Sequence, residues 1–127
     1  MRVERIDHLV LTVRDLDATI EFYEEVLGMR AVTFAGGRRA LAFGEYKINL
    51  HAAQAPIEPH ATNPTPGSAD LCLIISMPVH EAIAHLHGLG VPVEAGPVPR
   101  TGATGPITSV YFRDPDGNLI EVSNYAE

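Results

Sequence analysis

The sequence has one cysteine, one lysine and no long apolar run. A single cysteine, Cys72, excludes an internal disulfide, and its apolar neighbours predict a buried, unreactive thiol in a reducing cytoplasm. No stretch approaches the roughly 20 apolar residues that a membrane helix needs, and the N-terminus lacks a signal-peptide pattern. The net charge of −7 argues against nucleic acid or an anionic membrane as a partner.

The 127 residues are 46% hydrophobic, which is typical of one globular domain. Residues 6–13 alternate in the manner of a strand, and Asp15 is placed to cap a helix at about 16–27 that ends near Gly28. Three further strands are predicted, separated by glycine-containing turns, at about 30–35, 38–43 and 46–51. The first fifty residues therefore read as βαβββ.

Residues 53–67 lose this periodicity and carry four prolines, which predicts a linker or a loop folded over a site. The pattern then restarts with a strand at 70–75, a helix at about 78–88, and strands at about 91–98, 107–113 and 118–123. Asp114-Pro115-Asp116-Gly117 has the residues that a type I turn requires, and it joins the last two strands. The second half is also βαβββ.

The two halves can be overlaid, with residues 8–13 on 70–75 and Asn49 on Glu121. A repeat of more than about 50 residues in a small chain indicates two similar structural units. We therefore predict an α+β fold of two βαβββ modules, forming a cupped mixed sheet or partial barrel with the helices outside. Module one is about 1–52, the linker about 53–67 and module two about 68–127, all within one domain.

The segments DHLVLTVRDLDATIEFYEEVLGM and YFRDPDGNLIEVS resemble the vicinal oxygen chelate superfamily. That superfamily includes glyoxalase I, bleomycin- and fosfomycin-resistance proteins and extradiol dioxygenases. Within it, KINLH, GSADLC and RTGATGPITSVYFRDPDGNLIEVS are most similar to the group of glyoxalase-domain-containing protein 5 and bacterial virulence proteins. The resemblance covers nearly the whole chain and implies the fold predicted above, together with a homodimer.

The resemblance also implies a metal site at His8, Asn49, Asp70 and Glu121, of which His8 and Glu121 keep the residue types usual in the superfamily. We expect His8, Asp70 and Glu121 to hold a divalent metal ion. An imidazole with two carboxylates suits Mn, Fe, Ni or Mg, and it does not exclude Zn. The alternative is a metal-free cluster in which His8 forms a charged hydrogen bond with Asp70 or Glu121.

Two functions follow from this set. The first is a metal-dependent enzyme acting on a small molecule as a lyase, a dioxygenase or a resistance enzyme that opens its ligand, with His51 or Asp70 moving a proton. His51 shares its strand face with Asn49, so it is a candidate base or substitute ligand, or an edge histidine with neither role. The resemblance places Asn49 at the position where glyoxalase I has its proton-shuttling glutamate. Asn49 therefore disfavours glyoxalase I itself, because an amide cannot take up a proton at neutral pH. The second function is a metal-free sequestering protein of the bleomycin-resistance type, for which the acidic charge suits a cationic ligand.

Overall fold

The computed structural model describes residues 1–127, and the chain divides into two compact units, Met1–Gly67 and Ser68–Glu127. Each unit has the element order βαβββ, and each forms its own open, mixed sheet of four strands. The predicted architecture of two α+β modules is thereby confirmed. Residues 53–67, predicted as a linker, belong to the first unit. Neither helix is long and apolar enough to cross a membrane.

Unit 1 is a mixed sheet with one helix. Its elements are β1 (His8–Val13), α1 (Leu16–Leu27), β2 (Arg30–Phe34), β3 (Arg38–Phe43) and β4 (Tyr46–Ala52), and the strand order is β1-β4-β3-β2. β1 is parallel to β4, and the other pairs are antiparallel. The predicted helix caps are confirmed, since the Asp15 carboxylate accepts from the Ala18 amide at 3.0 Å and Gly28 has a φ of 64°.

The two faces of the unit 1 sheet differ in chemistry. α1 packs against β2 and β4, and the apolar strand residues Val13, Leu41 and Ile48 are completely buried. Alternation along a strand turns the intervening residues to the other side, and directly paired residues share a side. We call that side the open face of unit 1, and on its two parallel strands it carries His8, Val10, Thr12, Lys47, Asn49 and His51.

Unit 2 repeats the arrangement. Its elements are β5 (Asp70–Ile74), α2 (Val79–Gly88), β6 (Ala95–Thr101), β7 (Pro106–Arg113) and β8 (Leu119–Tyr125), in the order β5-β8-β7-β6. Ile120 and Val122 of β8 are buried, whereas the residues between them lie on the opposite side. That side is the open face of unit 2, and its two parallel strands contribute Asp70, Cys72, Ile74, Leu119, Glu121 and Ser123.

The turn between β7 and β8 is held by the side chain that begins it. Asp114 Oδ1 accepts hydrogen bonds from the backbone amides of Asp116 and Asn118, each at 2.9 Å. Gly117 has a φ of 89° and donates its amide to the Asp114 carbonyl at 3.0 Å. The predicted turn is therefore confirmed, with its first aspartate buried.

Strand β6 begins later than the predicted 91–98. The amide of Val91 donates to the Leu86 carbonyl at 2.9 Å and so closes the end of α2 instead of joining the sheet. Pairing with β7 begins at Ala95, is interrupted by a register shift before Val98, and continues to Thr101. The interruption falls at Gly96, which has a φ of 115°.

The prediction that Cys72 is buried was wrong. Its neighbours Leu71 and Leu73 lie on the side of the sheet that holds the buried Ile120 and Val122. Cys72 lies on the open face of unit 2 in an edge strand, and it is exposed. Although the side chain is exposed, the protein on one side of it removes water and thereby raises the pKa of the thiol, and the nearby Glu121 carboxylate acts in the same direction.

Asn124 connects the end of β5 to the start of α2. Its Oδ1 accepts from the Val79 amide at 2.8 Å, and its Nδ2 donates to the carbonyls of Ile75 and Met77 at 3.0 and 2.9 Å. We expect Asn124→Ala to lower the free energy of unfolding by about 2 kcal/mol, because three backbone groups lose their partner. Urea unfolding measures the change.

Asn63→Ala is the matched control, because Asn63 is exposed in a loop, and we expect a change within about 0.5 kcal/mol. Equal urea midpoints for Asn124→Ala and the wild type would contradict the assigned role.

Candidate functional site

Two polar side chains are buried on the open face of unit 1 without hydrogen-bond partners. Asn49 is 5% exposed and His51 is 3% exposed, and both come from β4. The Asn49 Oδ1 and both ring nitrogens of His51 have no partner. Buried polar groups are nearly always satisfied in folded proteins, so these atoms have unused capacity to bind another molecule. The alternative that His51 is an unused histidine at a surface edge does not fit this burial.

His51 is surrounded in a way that disfavours its charged form. Burial lowers the pKa of the imidazole below the ordinary 6.5, and the charges of Arg38 and His60 lower it further. His51 is therefore neutral at pH 7. A neutral imidazole has one nitrogen that donates a hydrogen bond and one that accepts either a hydrogen bond or a proton.

A pocket of about 440 Å³ lies against this side of unit 1. Its walls come from β1, from β4 and from the proline-rich loop of residues 53–67, and they consist of Val10, Thr12, His51, Pro59, His60, Ala61 and Pro64. The volume is suited to a small organic molecule. The proline-rich loop therefore contributes part of a pocket, as one of its two predicted roles required.

His8 lies on the same face of β1, four residues before Thr12, and it is paired with Lys47. Its Nδ1 donates to the Asp7 carboxylate at 2.7 Å, and this hydrogen bond lowers the pKa of Asp7. The His8 side chain is 43% exposed. With Nδ1 engaged, Nε2 is the ring atom left for another partner, which is the arrangement that a carboxylate gives to metal-binding histidines.

Glu121 anchors a row of hydrogen-bonding side chains on the open face of unit 2. Its Oε2 accepts from the Ser109 hydroxyl at 2.5 Å and more weakly from Ser123 at 3.5 Å. The Ser109 and Ser123 hydroxyls are 2.7 Å apart, and the Cys72 thiol lies 3.3 Å from Ser123. The serines therefore fix one carboxylate oxygen of Glu121 and leave the other without a constraint from this row.

Asp70 is exposed at the beginning of β5, opposite Leu119. Arg113, on the same face, is engaged by Glu94 through two hydrogen bonds of 2.9 Å each, which raise the pKa of the guanidinium, and the charge of Asp70 adds to this shift. Although Arg113 directly precedes the turn, its carboxylate partner is Glu94 and not an aspartate of that turn. Asp70 has no ion pair of its own and is free to act as a ligand or as an acceptor.

The structure assigns the expected metal ligands to different units, with His8 in unit 1 and Asp70 and Glu121 in unit 2. No group of three or more His, Cys, Asp or Glu side chains is assembled as a metal site. The ligand set therefore stays a prediction. Strand alternation correctly predicted that Asn49 and His51 share a face. It did not indicate that Ser109, Thr12 and Arg38 lie beside the candidate residues, because that proximity depends on pairing between strands.

Comparisons with known proteins define the class. Residues 5–122 match the model of the Glyoxalase/Bleomycin resistance protein/Dioxygenase superfamily. The chain belongs to this superfamily.

Three relatives illustrate its range. The chain is 58% identical to virulence protein STM3117 of Salmonella typhimurium, over 98% of this chain and 87% of STM3117. The crystal structure of STM3117 superimposes on this chain with a TM-score of 0.98, and the superposition covers 99% of this chain and 100% of the STM3117 chain. This chain is also 52% identical to glyoxalase domain-containing protein RDO1 of Mycosarcoma maydis, over 100% of this chain and 72% of RDO1. A lactoylglutathione lyase of Agrobacterium tumefaciens is 28% identical, with a TM-score of 0.73 and coverage of 98% and 96%.

The buried imidazole gives a prediction about pH. Because the pKa of His51 in the folded chain lies below 6.5, the unfolded chain takes up that proton more readily. The free energy of unfolding should therefore fall as the pH decreases below 6.5, and His51→Gln should remove this contribution. Nuclear magnetic resonance titration of the His51 ring measures the midpoint directly, and the same ring in the urea-unfolded chain is the reference. A native midpoint at or above the unfolded one would contradict the assignment.

Proposed function

We propose that this chain is a divalent-metal-dependent enzyme that acts on a small molecule bound in the pocket of unit 1. The observation that carries the proposal is His51, a buried imidazole with two unpartnered nitrogens in the wall of that pocket, whose burial lowers its pKa. Such a group, next to a space of substrate size, is a candidate for general base catalysis. The superfamily name itself covers a glyoxalase, a resistance protein and a dioxygenase.

The proposed metal ligands are His8, Asp70 and Glu121. Their chemistry suits a divalent ion, because the Asp7 contact leaves His8 Nε2 for the metal and the serine contacts leave one oxygen of Glu121. Asp70 adds a second carboxylate that is free of an ion pair. This combination of one imidazole and two carboxylates suits Mn²⁺, Fe²⁺, Ni²⁺, Mg²⁺ or Zn²⁺.

A bound ion would supply Lewis acidity toward two neighbouring oxygens of the substrate. The residues of the chain supply the rest. The free nitrogen of neutral His51 accepts a proton from the substrate, and Asp70 is the second candidate acceptor. Asn49 Oδ1 accepts a hydrogen bond from a hydroxyl or amide of the substrate and orients it, but the amide takes no proton. This difference separates the proposed reaction from that of glyoxalase I.

A metal-free binding protein is the second candidate, and one observation favours it. The pocket is formed entirely by residues of unit 1, so it needs neither Asp70 nor Glu121 to hold a ligand. A protein that only sequesters its ligand would use the unpartnered atoms of Asn49 and His51 for recognition without proton transfer.

We also propose a homodimer. The sheets of the two units each present an apolar side chain on an exposed edge strand, Val10 at 44% and Ile74 at 56% exposure. Such edges are typically covered in native proteins, and a second copy of the chain is the occupant that relatives of this type suggest. Sedimentation velocity tests the association, and a monomer at all concentrations would contradict it.

The metal proposal predicts that Glu121→Gln lowers the affinity for a divalent ion by roughly one to two orders of magnitude, since a ligand or its support is lost. We expect Asn49→Ala to have a smaller effect, because an amide oxygen is the weaker donor. Titration of chelator-treated protein with Mn²⁺, Ni²⁺ and Zn²⁺ at one pH, with calorimetric detection, measures these affinities.

Glu81→Gln is the matched control, because Glu81 is exposed on α2 and the same charge is removed. If the wild type binds none of these ions, the ligand assignment fails and the sequestering function replaces it. Equal losses of metal affinity in the Glu121 and Glu81 variants would show that the effect comes from net charge and not from a ligand.

A further inference from the structure

The basic residues of this acidic protein are concentrated in one unit. Seven of the nine lysines and arginines belong to unit 1, namely Arg2, Arg5, Arg14, Arg30, Arg38, Arg39 and Lys47. Strand pairing places three of these on the open face of unit 1. Arg30 lies opposite Ala42, which lies opposite Lys47, and Arg38 is two residues before Ala40, which lies opposite Asn49. The face that carries the pocket is therefore locally basic.

Two of these cations are held by an aromatic ring and not by carboxylates. The Lys47 Nζ lies 3.7 Å from the centre of the Phe34 ring, and the Arg38 guanidinium carbon lies 5.1 Å from it. Neither side chain forms an ion pair, and Arg38 Nε is buried without a hydrogen-bond partner. A cation–π contact positions a charge but leaves its hydrogen-bond donors unused. Both groups therefore keep the capacity to bind an anion.

Four of the nine acidic residues of unit 1 lie on α1. On α1, the exposed carboxylates of Asp17, Glu21, Glu24 and Glu25 are separated from the open face by the sheet. The charges that act on His51 are those of Arg38 and His60, and no carboxylate is among them. No carboxylate is part of the pocket wall, although Glu58 precedes Pro59 of that wall and the charge of Asp7 acts on Lys47.

The donors around the pocket are complementary to an oxyanion. In the pocket wall, neutral His51 offers one N–H and Thr12 offers a hydroxyl. Arg38 lies outside the wall on the neighbouring strand β3, and the charge of its planar guanidinium acts on His51. His60 Nδ1 contacts the Ala61 carbonyl at 2.9 Å, which directs the other ring nitrogen away from that carbonyl. Together these groups supply several donors and a fixed positive charge beside a space of about 440 Å³.

We infer that the pocket of unit 1 binds the anionic group of its ligand, a carboxylate, phosphonate or phosphate, with Arg38 as the cationic partner and His51 and Thr12 as hydrogen-bond donors. The inference deepens the proposed function, since it names the chemical class of the substrate. It also reverses the expectation from net charge that the ligand is a cation.

The test measures binding of small probes to the full chain after treatment with a chelator. Methylphosphonate and acetate are the anionic probes, acetamide is the neutral analogue of acetate, and tetramethylammonium is the cation. By calorimetry we expect binding of the two anions and none of the other two probes. Tighter binding of tetramethylammonium or equal binding of acetamide would overturn the inference, and so would the absence of anion binding.

Arg38→Gln should weaken methylphosphonate binding about tenfold, which is the effect of losing one charged hydrogen bond. Arg39→Gln is the matched control, because Arg39 is the next residue of β3, faces the opposite side and carries the same charge. Equal weakening in both variants would overturn the role of Arg38. If Arg38→Gln does not fold, Thr12→Val removes a hydroxyl from the pocket with little change in volume and tests the same site.

Nuclear magnetic resonance of the histidine rings locates the probe. We expect methylphosphonate to shift the ring resonances of His51 and His60 and to leave those of His80 and His87 on α2 unchanged. Shifts confined to the α2 histidines would overturn the inference. Because no metal is present in these measurements, failure of the anion test leaves the metal titration unaffected, and failure of the metal titration leaves the anion test unaffected.

Discussion

Each unit depends on a central strand whose two faces have opposite chemistry. β4 is hydrogen-bonded on both sides, by β1 and by β3, so its register is fixed along its whole length. Ile48 and Leu50 lie on the apolar side of β4, and strand alternation therefore places Asn49 and His51 on the open face. A slip of one residue would exchange the two sets and bury the polar groups in the core. The stability of the core and the position of the candidate site are therefore set by the same pairing.

The polar groups on the open faces of the two units differ in their hydrogen bonding. In unit 2, Glu121, Ser109 and Ser123 satisfy one another through short hydrogen bonds. In unit 1, Asn49 and His51 stay without partners, at a penalty of about 1–3 kcal/mol for each buried unsatisfied group. A ligand that hydrogen-bonds to them recovers part of that free energy. Unit 1 is for this reason the better candidate for recognition, whereas unit 2 holds a carboxylate in a defined orientation.

Local signals in the sequence predicted most of the fold, because caps, turns and alternation act over a few residues. Asp15 and Gly28 delimit α1 as expected, and Asp114 forms its turn. The features that local signals did not predict depend on long-range contacts. Cys72 has apolar neighbours along the chain, but its exposure depends on β5 being an edge strand. The partner of Arg113 is Glu94, 19 residues away, and no local pattern encodes that pair. Alternation acts within one strand, so candidate site residues on the same strand were predictable, whereas their partners on other strands were not.

Charge shows the same limit most clearly. A net charge of −7 describes the field far from the molecule, where all charges add, and it bears on solubility and on large charged partners. A ligand inside a pocket interacts with the few charges within about one screening length of roughly 8 Å, so the arrangement of those charges outweighs the total. Here the sheet of unit 1 separates the carboxylates of α1 from Arg38 and Lys47, and a single aromatic ring, Phe34, holds both cations on the open face. Strand register, and not composition, therefore sets the sign of the charge that a ligand meets.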